Sequence, residues 1–337
     1  MNAKKFSDAM SELDSKYIDE ALNYNAQKHS RHFRRVPVAL VAIILTLFLM
    51  GAGVVAAIIY GDSIQSWFSY YWNEITGQSM SKEQTAVIDH LSQDIGIGKT
   101  IGDVTITVDS ATVGDDSFFL LVRIEGLDFS DRNSYGFEHA TMEMIPNLID
   151  DGGIGGFGTN YLGIDESGSA LLLFDYSYAS YTDFTPNAKP LEITLMLQNV
   201  IQNPNTDRQK VLSEGQWFIS FVLDRSQLPE VVSLPDTEII GTEDSTGKEV
   251  PITITDIELT NTGLRFQYAY DNGNLFLSSQ DIKVILKNGS VIGNNGGVGS
   301  PTNGNQAIAF SYQWVVPINL DEVVAVRIGE NDISIPN

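Results

Sequence analysis

The sequence contains no cysteine among its 337 residues. Disulfide bonds, thiol catalysis and zinc sites with cysteine ligands are therefore excluded. Without such links, the folded parts must be held together by burial of apolar side chains alone. Hydrophobic residues make up 43% of the chain, which is enough to build a sizeable core.

Histidine is scarce as well, because the chain has only four. His29 and His32 precede a long apolar run, His90 lies in a predicted helix, and His139 alone falls within the predicted β domains. The sequence also lacks the glycine-lysine pattern that cradles phosphates and the serine pattern of a nucleophile elbow. We therefore predict no catalytic, cofactor-binding or metal-ligating residue, and we expect that the protein is not an enzyme.

Basic residues are few and unevenly placed. Residues 1–35 carry seven basic and five acidic side chains, a net charge of +2, whereas the whole chain carries −23, which leaves −25 for the remainder. Such an acidic surface disfavours nucleic acid as a direct partner and favours solubility or cationic ligands.

Acidic and amide side chains also cluster at predicted turns, where they could bind calcium. None of these clusters has the spacing of an EF-hand loop, and Asp and Asn favour turns without any ion. The clusters are Asp115–Asp116, Asp128 with Asp131 and Asn133, Asp150–Asp151, Asp165–Glu166, and Asp271–Asn274.

The longest apolar run, Val36–Tyr60, contains no charged residue. As a helix it would measure about 37 Å, which exceeds the hydrocarbon core of about 30 Å, so we predict one transmembrane helix. Arg34 and Arg35 lie at its basic N-terminal flank, which predicts a cytoplasmic N-terminus and an extracytoplasmic C-terminus. Trp67 and Trp72, in an aromatic run beyond the helix, are predicted to lie at the opposite membrane interface. A cleaved signal peptide is the alternative, but the run is longer than signal-peptide cores.

The cytoplasmic segment, residues 1–35, carries one amphipathic pattern. Its apolar residues recur at spacings of three and four, which places them on one helical face. An isolated helix has nothing against which to bury such a face, so we predict that it contacts a partner protein. The candidate partner face consists of Met10, Leu13, Tyr17, Ala21 and Tyr24.

Beyond the membrane, residues 61–98 predict a helical juxtamembrane stalk with two helices, Asp62–Ile75 and a second one through about Gln93. Ser81 and Gln84 form a capping-box pattern for the second helix, and Ala86, Val87 and Leu91 are its predicted apolar face. From Thr100 the apolar residues alternate with period two, which indicates strands.

The fold class is therefore mainly β, with two tandem immunoglobulin-like β-sandwich domains at 99–228 and 236–337. The opening hairpins of the two domains, VTITVDSATVGDDSFFLLVRI and ITITDIELTNTGLRFQYAY, are alike. Of two glycine-rich stretches, Asp151–Gly158 is predicted to be a loop, and Asn288–Asn305 is predicted to be a long exposed hairpin loop or a mobile tip.

A local aromatic group, Tyr176, Tyr178, Tyr181 and Phe184, suits either a binding platform for sugar or peptide, or ordinary core packing.

The order of features resembles a bacterial family of single-pass membrane proteins. The resemblance covers SELDSKYIDEALNY, the basic stretch and apolar run, MSKEQTAVIDHLSQDIGIGKTIGDVTITVDSATVGDDSFFLLVRIEG, LSEGQWFISFVLD and LDEVVAVRIGENDISI. The exterior of these proteins carries the domain of unknown function 4179, and its members are described as anti-sigma factors. The resemblance implies a membrane-anchored regulator with a cytoplasmic sigma factor as partner, and it brings no catalytic or ligand-binding residue.

Two functions follow from these patterns. The first is a signalling regulator, in which the exterior senses an unidentified ligand and the cytoplasmic helix contacts a sigma factor. The second is a cell-surface binding or scaffolding protein that uses the N-terminal segment only as an anchor and has no role in transcription.

Overall fold

The computed structural model describes residues 64–114, 117–130, 132–145, 154–179, 190–226, 231–243, 248–268, 275–276, 282–301 and 308–335. They all belong to one compact unit, Thr46–Asn337. The predicted transmembrane helix and the candidate partner face lie outside the described residues. Within the described ranges, neither helix has the length and apolar character needed to cross a membrane.

Two helices come first, as predicted: α1 spans Ile64–Thr76 and α2 spans Lys82–Leu91. Gly77 follows α1 with a φ of +67°, a conformation that glycine adopts without steric cost, and it ends the helix. Ser81 caps α2, because its Oγ accepts a hydrogen bond from the backbone N of Gln84 at 3.0 Å.

The buried face of α2 differs from the predicted one. The structure buries Gln84, Ile88 and Leu91, whereas Ala86 is exposed and Val87 is half-buried. The correct face therefore includes a polar side chain, which apolar spacing alone could not identify.

Eight strands build the N-terminal half, and all of their pairings are antiparallel. Strands β1, β2, β3, β6 and β5 form one sheet in that order, while β4, β7 and β8 form a second. Their bounds are β1 Ser92–Ile101, β2 Val104–Val113, β3 Ser117–Glu125, β4 Tyr135–Ile145, β5 Ile154–Ile164, β6 Ala170–Ala179, β7 Leu191–Gln202 and β8 Lys210–Leu223.

Ten strands build the C-terminal half as one sheet that curls until it is nearly closed. The order is β13, β10, β11, β12, β16, β15, β14, β17 and β18, and β9 also pairs with β11. Their bounds are β9 Val232–Leu234, β10 Thr237–Glu243, β11 Glu249–Leu259, β12 Gly263–Tyr268, β13 Leu275–Phe276, β14 Ile282–Leu286, β15 Val291–Pro301, β16 Ile308–Trp314, β17 Val323–Ile328 and β18 Asn331–Ser334.

The two halves repeat one strand order. The N-terminal series β1-β2-β3-β6-β5 corresponds to β10-β11-β12-β16-β15, and β4-β7-β8 corresponds to β14-β17-β18. Three pairings of the C-terminal half have no counterpart among the described strands of the N-terminal half: β9 with β11, β13 with β10, and β15 with β14. The last of these joins the two sheets of the C-terminal half. This repetition extends the likeness of the two opening hairpins to the whole of each half.

Most of each glycine-rich stretch is strand, so the loop predictions were wrong for residues 154–158 and 291–301, while residues 151–153 and 302–305 lie outside the described residues. Ile154–Ile164 pairs with β6 along its length, and Val291–Pro301 pairs with β14 and then with β16. The end of the predicted stalk is also strand, because β1 begins at Ser92. These strands lack the apolar alternation on which a strand prediction depends.

The first core fills the space between the two sheets of the N-terminal half. Side chains of β2, β3 and β6 meet those of β7 and β8, with Trp217 fully buried among them. This packing of two antiparallel sheets confirms a β-sandwich arrangement for this half.

Strands β3 and β6 are buried on both faces. In β3, Leu120 belongs to the sandwich core, whereas its neighbours Phe119 and Leu121 belong to a second core. This second core also contains the inner side chains of the C-terminal half and of both helices. Burial on both faces explains why these strands read as continuous apolar runs instead of alternating ones.

Candidate functional site

The two helices form a wedge, α1 and α2 together, that contacts both β halves. Helix α1 contacts β2 of the N-terminal half and β15 of the C-terminal half, and α2 contacts β1 and β2. The wedge follows the predicted transmembrane segment directly in the sequence. It is therefore the first described part of the chain that a movement of that segment would reach.

Helix α1 is held mainly by apolar contacts. Its side chains Ile64, Phe68 and Trp72 recur at a spacing of four and are at most 2% exposed. The ring of Phe68 meets Phe119 of β3 edge to face, with centroids 5.2 Å apart. Such aromatic pairs add about 0.5–1.5 kcal/mol beyond burial itself. This face fixes α1 to the outer surface of the N-terminal sandwich.

The aromatic run in α1 is explained by packing within the protein. Trp72 is 2% exposed, and the half-buried Trp67 stacks on Tyr71 with centroids 5.0 Å apart. Burial raises the pKa of Tyr71 to about 12. These contacts need no lipid, and the position of Trp67 and Trp72 at a membrane interface stays a prediction. Arg34 and Arg35 lie outside the described residues.

Helix α2 is held by a polar clamp on the C-terminal half. Gln84, which is fully buried, donates from Nε2 to the carbonyl oxygen of Pro317 at 2.5 Å. Its Oε1 accepts from the backbone N of Asn319 at 2.6 Å. Sequence reasoning assigned Gln84 to a capping box, but both ends of its side chain are used by a segment more than 230 residues away.

Two further hydrogen bonds join the wedge to the C-terminal half. Ser81 Oγ donates to Glu322 Oε1 at 2.9 Å, so the residue that caps α2 also contacts the short 3₁₀ turn Leu320–Glu322. Asn288 Nδ2 donates to Gln78 Oε1 at 3.1 Å, in an exposed position. The wedge is thus fixed to the N-terminal half by apolar contacts, and to the C-terminal half by apolar contacts and hydrogen bonds.

The two halves also touch directly at glycine positions. A β-carbon on Gly114 would lie 2.1 Å from Thr262 Oγ1, and one on Gly156 would lie 3.0 Å from Val298 Cγ1. Gly114 follows β2 and Thr262 precedes β12, so the turns of the two similar hairpins meet. A side chain at Gly114 would clash with Thr262, whereas at Gly156 it would require Val298 to move by a few tenths of an ångström.

One carboxylate lies in this contact region. Asp175 of β6 is on the same strand face as Leu171 and Leu173, the face that belongs to the second core. Asn160 Nδ2 donates to Asp175 Oδ2 at 3.0 Å, and Asn295 of β15 also hydrogen bonds to this carboxylate. Burial raises the pKa of Asp175 above its ordinary value, although both hydrogen bonds act in the opposite direction.

Each half contains an arginine that pairs with acids, and Arg265 is buried whereas Arg123 is half-buried. Arg123 of β3 pairs with Asp109 at 2.9 Å and also with Asp165, and Arg265 of β12 pairs with Glu258. The backbone N atoms of Ser167 and Ser169 both donate to Asp165 Oδ1 at 2.9 Å. Asp165 therefore acts in a turn and an ion pair, in agreement with the turn interpretation of this acidic cluster.

The remaining predicted candidates are placed as follows. Tyr176 is buried in the sandwich core and stacks on Phe118 with centroids 5.1 Å apart, while the side chains of Tyr178, Tyr181 and Phe184 lie outside those described. His90 and His139 are both exposed. Across the described ranges, no group of three His, Asp or Glu side chains could hold a metal ion. The contacts of this region join the two helices to both β halves.

Comparisons with known proteins add little to this geometry. No family model matches the chain, and no curated protein matches it. Among solved structures, the chain is similar to a conserved domain protein from Bacillus anthracis, with 10% sequence identity and a TM-score of 0.44. The alignment covers 71% of this chain and 77% of that chain. A likeness of this size carries no argument about function.

Proposed function

We propose that this protein is a membrane-anchored signalling regulator of the anti-sigma type. In this proposal the β halves lie outside the cell, Val36–Tyr60 crosses the membrane, and the face formed by Met10, Leu13, Tyr17, Ala21 and Tyr24 contacts a sigma factor. The observation that carries it is the wedge. Helix α1 begins at Ile64, four residues after the predicted membrane helix, and it contacts both β halves.

The proposed coupling between the β halves and the membrane helix requires that α1 makes different contacts in different arrangements of the halves. A ligand shifts a conformational equilibrium only by binding one arrangement more tightly than another. If the β halves change their relative position on binding a ligand, α1 cannot keep its contacts with both β2 and β15. The wedge must then move, and the adjoining membrane helix is the covalent route by which that movement reaches the cytoplasm.

We also propose that both halves are immunoglobulin-like. Counting strands within the N-terminal half, the second, third, sixth and fifth form one sheet and the fourth, seventh and eighth the other. This order matches the ABED and CFG sheets of a constant-type immunoglobulin domain with one extra strand in front. The C-terminal half repeats the order, which extends the proposal to it.

The partner is tested with the cytoplasmic face. A bait of residues 1–35 should recover a sigma factor from a lysate, and Leu13→Glu should abolish the recovery, because it places a charge on the apolar face. Ser15→Glu, on the opposite side of the predicted helix, is the matched control. The proposal fails if no sigma factor is recovered and deletion of these residues leaves the transcript profile unchanged.

The orientation is tested by thiol labelling, since the chain has no cysteine of its own. Ile240→Cys, at an exposed position of β10, should react with a membrane-impermeant maleimide on intact cells. Ala26→Cys, in the predicted cytoplasmic segment, should react only after lysis. Labelling of Ala26→Cys on intact cells would contradict the proposed orientation.

A cell-surface binding protein without a transcriptional role is the second candidate. It is favoured by the exposed apolar side chains Ile145, Phe218 and Val222 on the β4–β7–β8 sheet. A sigma-factor gene in the same operon supports the regulator, and the absence of one supports the binding protein.

A further inference from the structure

The β4–β7–β8 sheet presents one face to solvent, and the strand register defines it. The outward residues form four rows of three, one from each strand. We call these twelve positions the outer face. They are Ile145, Glu192 and Val222; Glu143, Thr194 and Ser220; Thr141, Met196 and Phe218; and His139, Gln198 and Gln216.

The outer face exposes large apolar side chains. Ile145 is 66% exposed, Phe218 is 56% exposed and Val222 is 52% exposed, and Met196 lies half-buried beside Phe218. The sheet β1-β2-β3-β6-β5 of the same sandwich does not present such a face, because the wedge and the C-terminal half contact its outer side. Exposed apolar side chains grouped on one face indicate an interaction site.

The charge of the outer face has one sign. Glu143 and Glu192 are its charged residues, and none of the twelve positions is Lys or Arg. Both carboxylates are exposed and lie in adjacent rows, with the apolar Ile145 and Val222 in the same row as Glu192. A partner that complements this pattern carries positive charge and apolar side chains together.

The size of the outer face limits the partner. Alternate residues of a strand are about 6.8 Å apart and neighbouring strands about 4.8 Å apart, so the face covers about 400 Å². A stable interface between globular proteins buries about 800 Å² on each partner. An extended segment of about eight residues matches the length of the face, about 27 Å, and does not need an interface of that size.

We propose that the outer face binds a short cationic polypeptide segment that carries apolar side chains. The apolar side chains of the segment pack on Phe218, Val222 and Ile145, and its basic side chains pair with Glu143 and Glu192. A second copy of this chain is disfavoured, because the same face on a partner carries no Lys or Arg to pair with Glu143 and Glu192. An anionic lipid surface is disfavoured because its charge has the same sign as these carboxylates.

This inference names the ligand class for the extracytoplasmic region of the proposed regulator, and it is tested without a sigma factor. The full chain is placed in phosphatidylcholine nanodiscs and titrated into a labelled decapeptide of alternating Lys and Leu. Decapeptides of alternating Glu and Leu, and of alternating Lys and Ser, separate the contributions of charge and apolar side chains. Empty nanodiscs give the background.

The Lys-Leu peptide should bind, and the other two should bind at least fivefold more weakly. Phe218→Ser and Glu192→Lys should each weaken binding of the Lys-Leu peptide at least fivefold. Ile240→Ser and Glu238→Lys are the matched controls, since both residues are exposed on β10 of the C-terminal half, and they should change affinity less than twofold.

Three results would overturn the proposal. The first is no binding of the Lys-Leu peptide up to about 1 mM. The second is an equal effect of the outer-face and β10 variants, which would indicate attraction to the acidic protein as a whole. The third is a dimer in sedimentation that Phe218→Ser dissociates, which would assign the face to a second copy. None of these results affects recovery of a sigma factor by residues 1–35, so failures of the two proposals are distinguishable.

Discussion

Gln84 offers a direct test of the wedge, because a single side chain holds two backbone groups of the C-terminal half. Gln84→Ala removes the hydrogen bonds to the carbonyl oxygen of Pro317 and the backbone N of Asn319. Pro317 is buried and Asn319 is half-buried, so water replaces these bonds only in part. The variant therefore leaves polar backbone groups unsatisfied at the contact between α2 and the C-terminal half.

The expected cost follows from these two groups. A buried polar group that loses its partner costs about 1–3 kcal/mol, and the half-buried Asn319 contributes toward the lower end. The free energy of unfolding should therefore fall by about 2–4 kcal/mol. Gln84→Met, which keeps the length of the side chain but makes neither bond, should lose most of the same amount.

Gln78→Ala is the matched control for Gln84→Ala. Gln78 also accepts a hydrogen bond from the C-terminal half, from Asn288, but in an exposed position. Water replaces that bond, so the loss should stay below about 0.5 kcal/mol. Urea denaturation of the full chain in mild detergent, followed by tryptophan fluorescence, measures all three variants. If Gln84→Ala costs no more than Gln78→Ala, the clamp does not stabilise the wedge and the reasoning is wrong.

Three further perturbations test neighbouring contacts. Phe68→Ala should lower the free energy of unfolding by about 3–5 kcal/mol. A double-mutant cycle with Phe119→Ala, measured by urea denaturation, should give a coupling energy of about 0.5–1.5 kcal/mol between the two rings. A coupling energy of zero would contradict the ring contact. Asp175→Asn should stabilise the protein at pH 7. The pKa of Asp175 is raised in the folded protein, so the wild-type protein loses stability when the carboxyl ionises above its unfolded pKa of 3.8. The amide of the variant does not ionise and avoids this loss. This gain should vanish below that pH in urea denaturation, and an equal gain at pH 3 and pH 7 would refute it. Gly114→Ala should lower the melting temperature through a clash with Thr262, and Thr262→Gly should restore it; failure of the rescue would show that the clash is not the cause.

Local sequence signals predicted the helices and strands whose formation depends on neighbouring residues. Ser81 before an amphipathic stretch predicted the start of α2, and the structure shows its cap. The alternation of Val104, Ile106 and Val108 predicted β2, whose inner side chains these are. In both cases the interaction that forms the element lies within a few residues or on one sheet face. The sequence pattern is therefore sufficient to predict the element.

The candidate site was harder to predict, because contacts between distant segments decide it. Gln84 and Trp72 have ordinary local explanations, a capping box and a membrane interface, and only the tertiary contacts show where their side chains lie. Gly156 lies in a strand without apolar alternation, and a β-carbon there would lie 3.0 Å from Val298 Cγ1 of the C-terminal half. Sequence reasoning therefore predicted the two helices but missed their packing against both halves, and it missed the two glycine-rich strands.

The clamp on Gln84 has a consequence for the order in which the protein matures. Gln84 and Pro317 are 233 residues apart, and at about 5–20 residues per second their synthesis is separated by about 12–47 s. During that interval Gln84 has no partner, and the apolar face of α1 lacks much of the surface that later buries it. The helices are made before every described strand, and they can contact β1, β2 and β3 early, yet the clamp on Gln84 forms only after β16 has been synthesised.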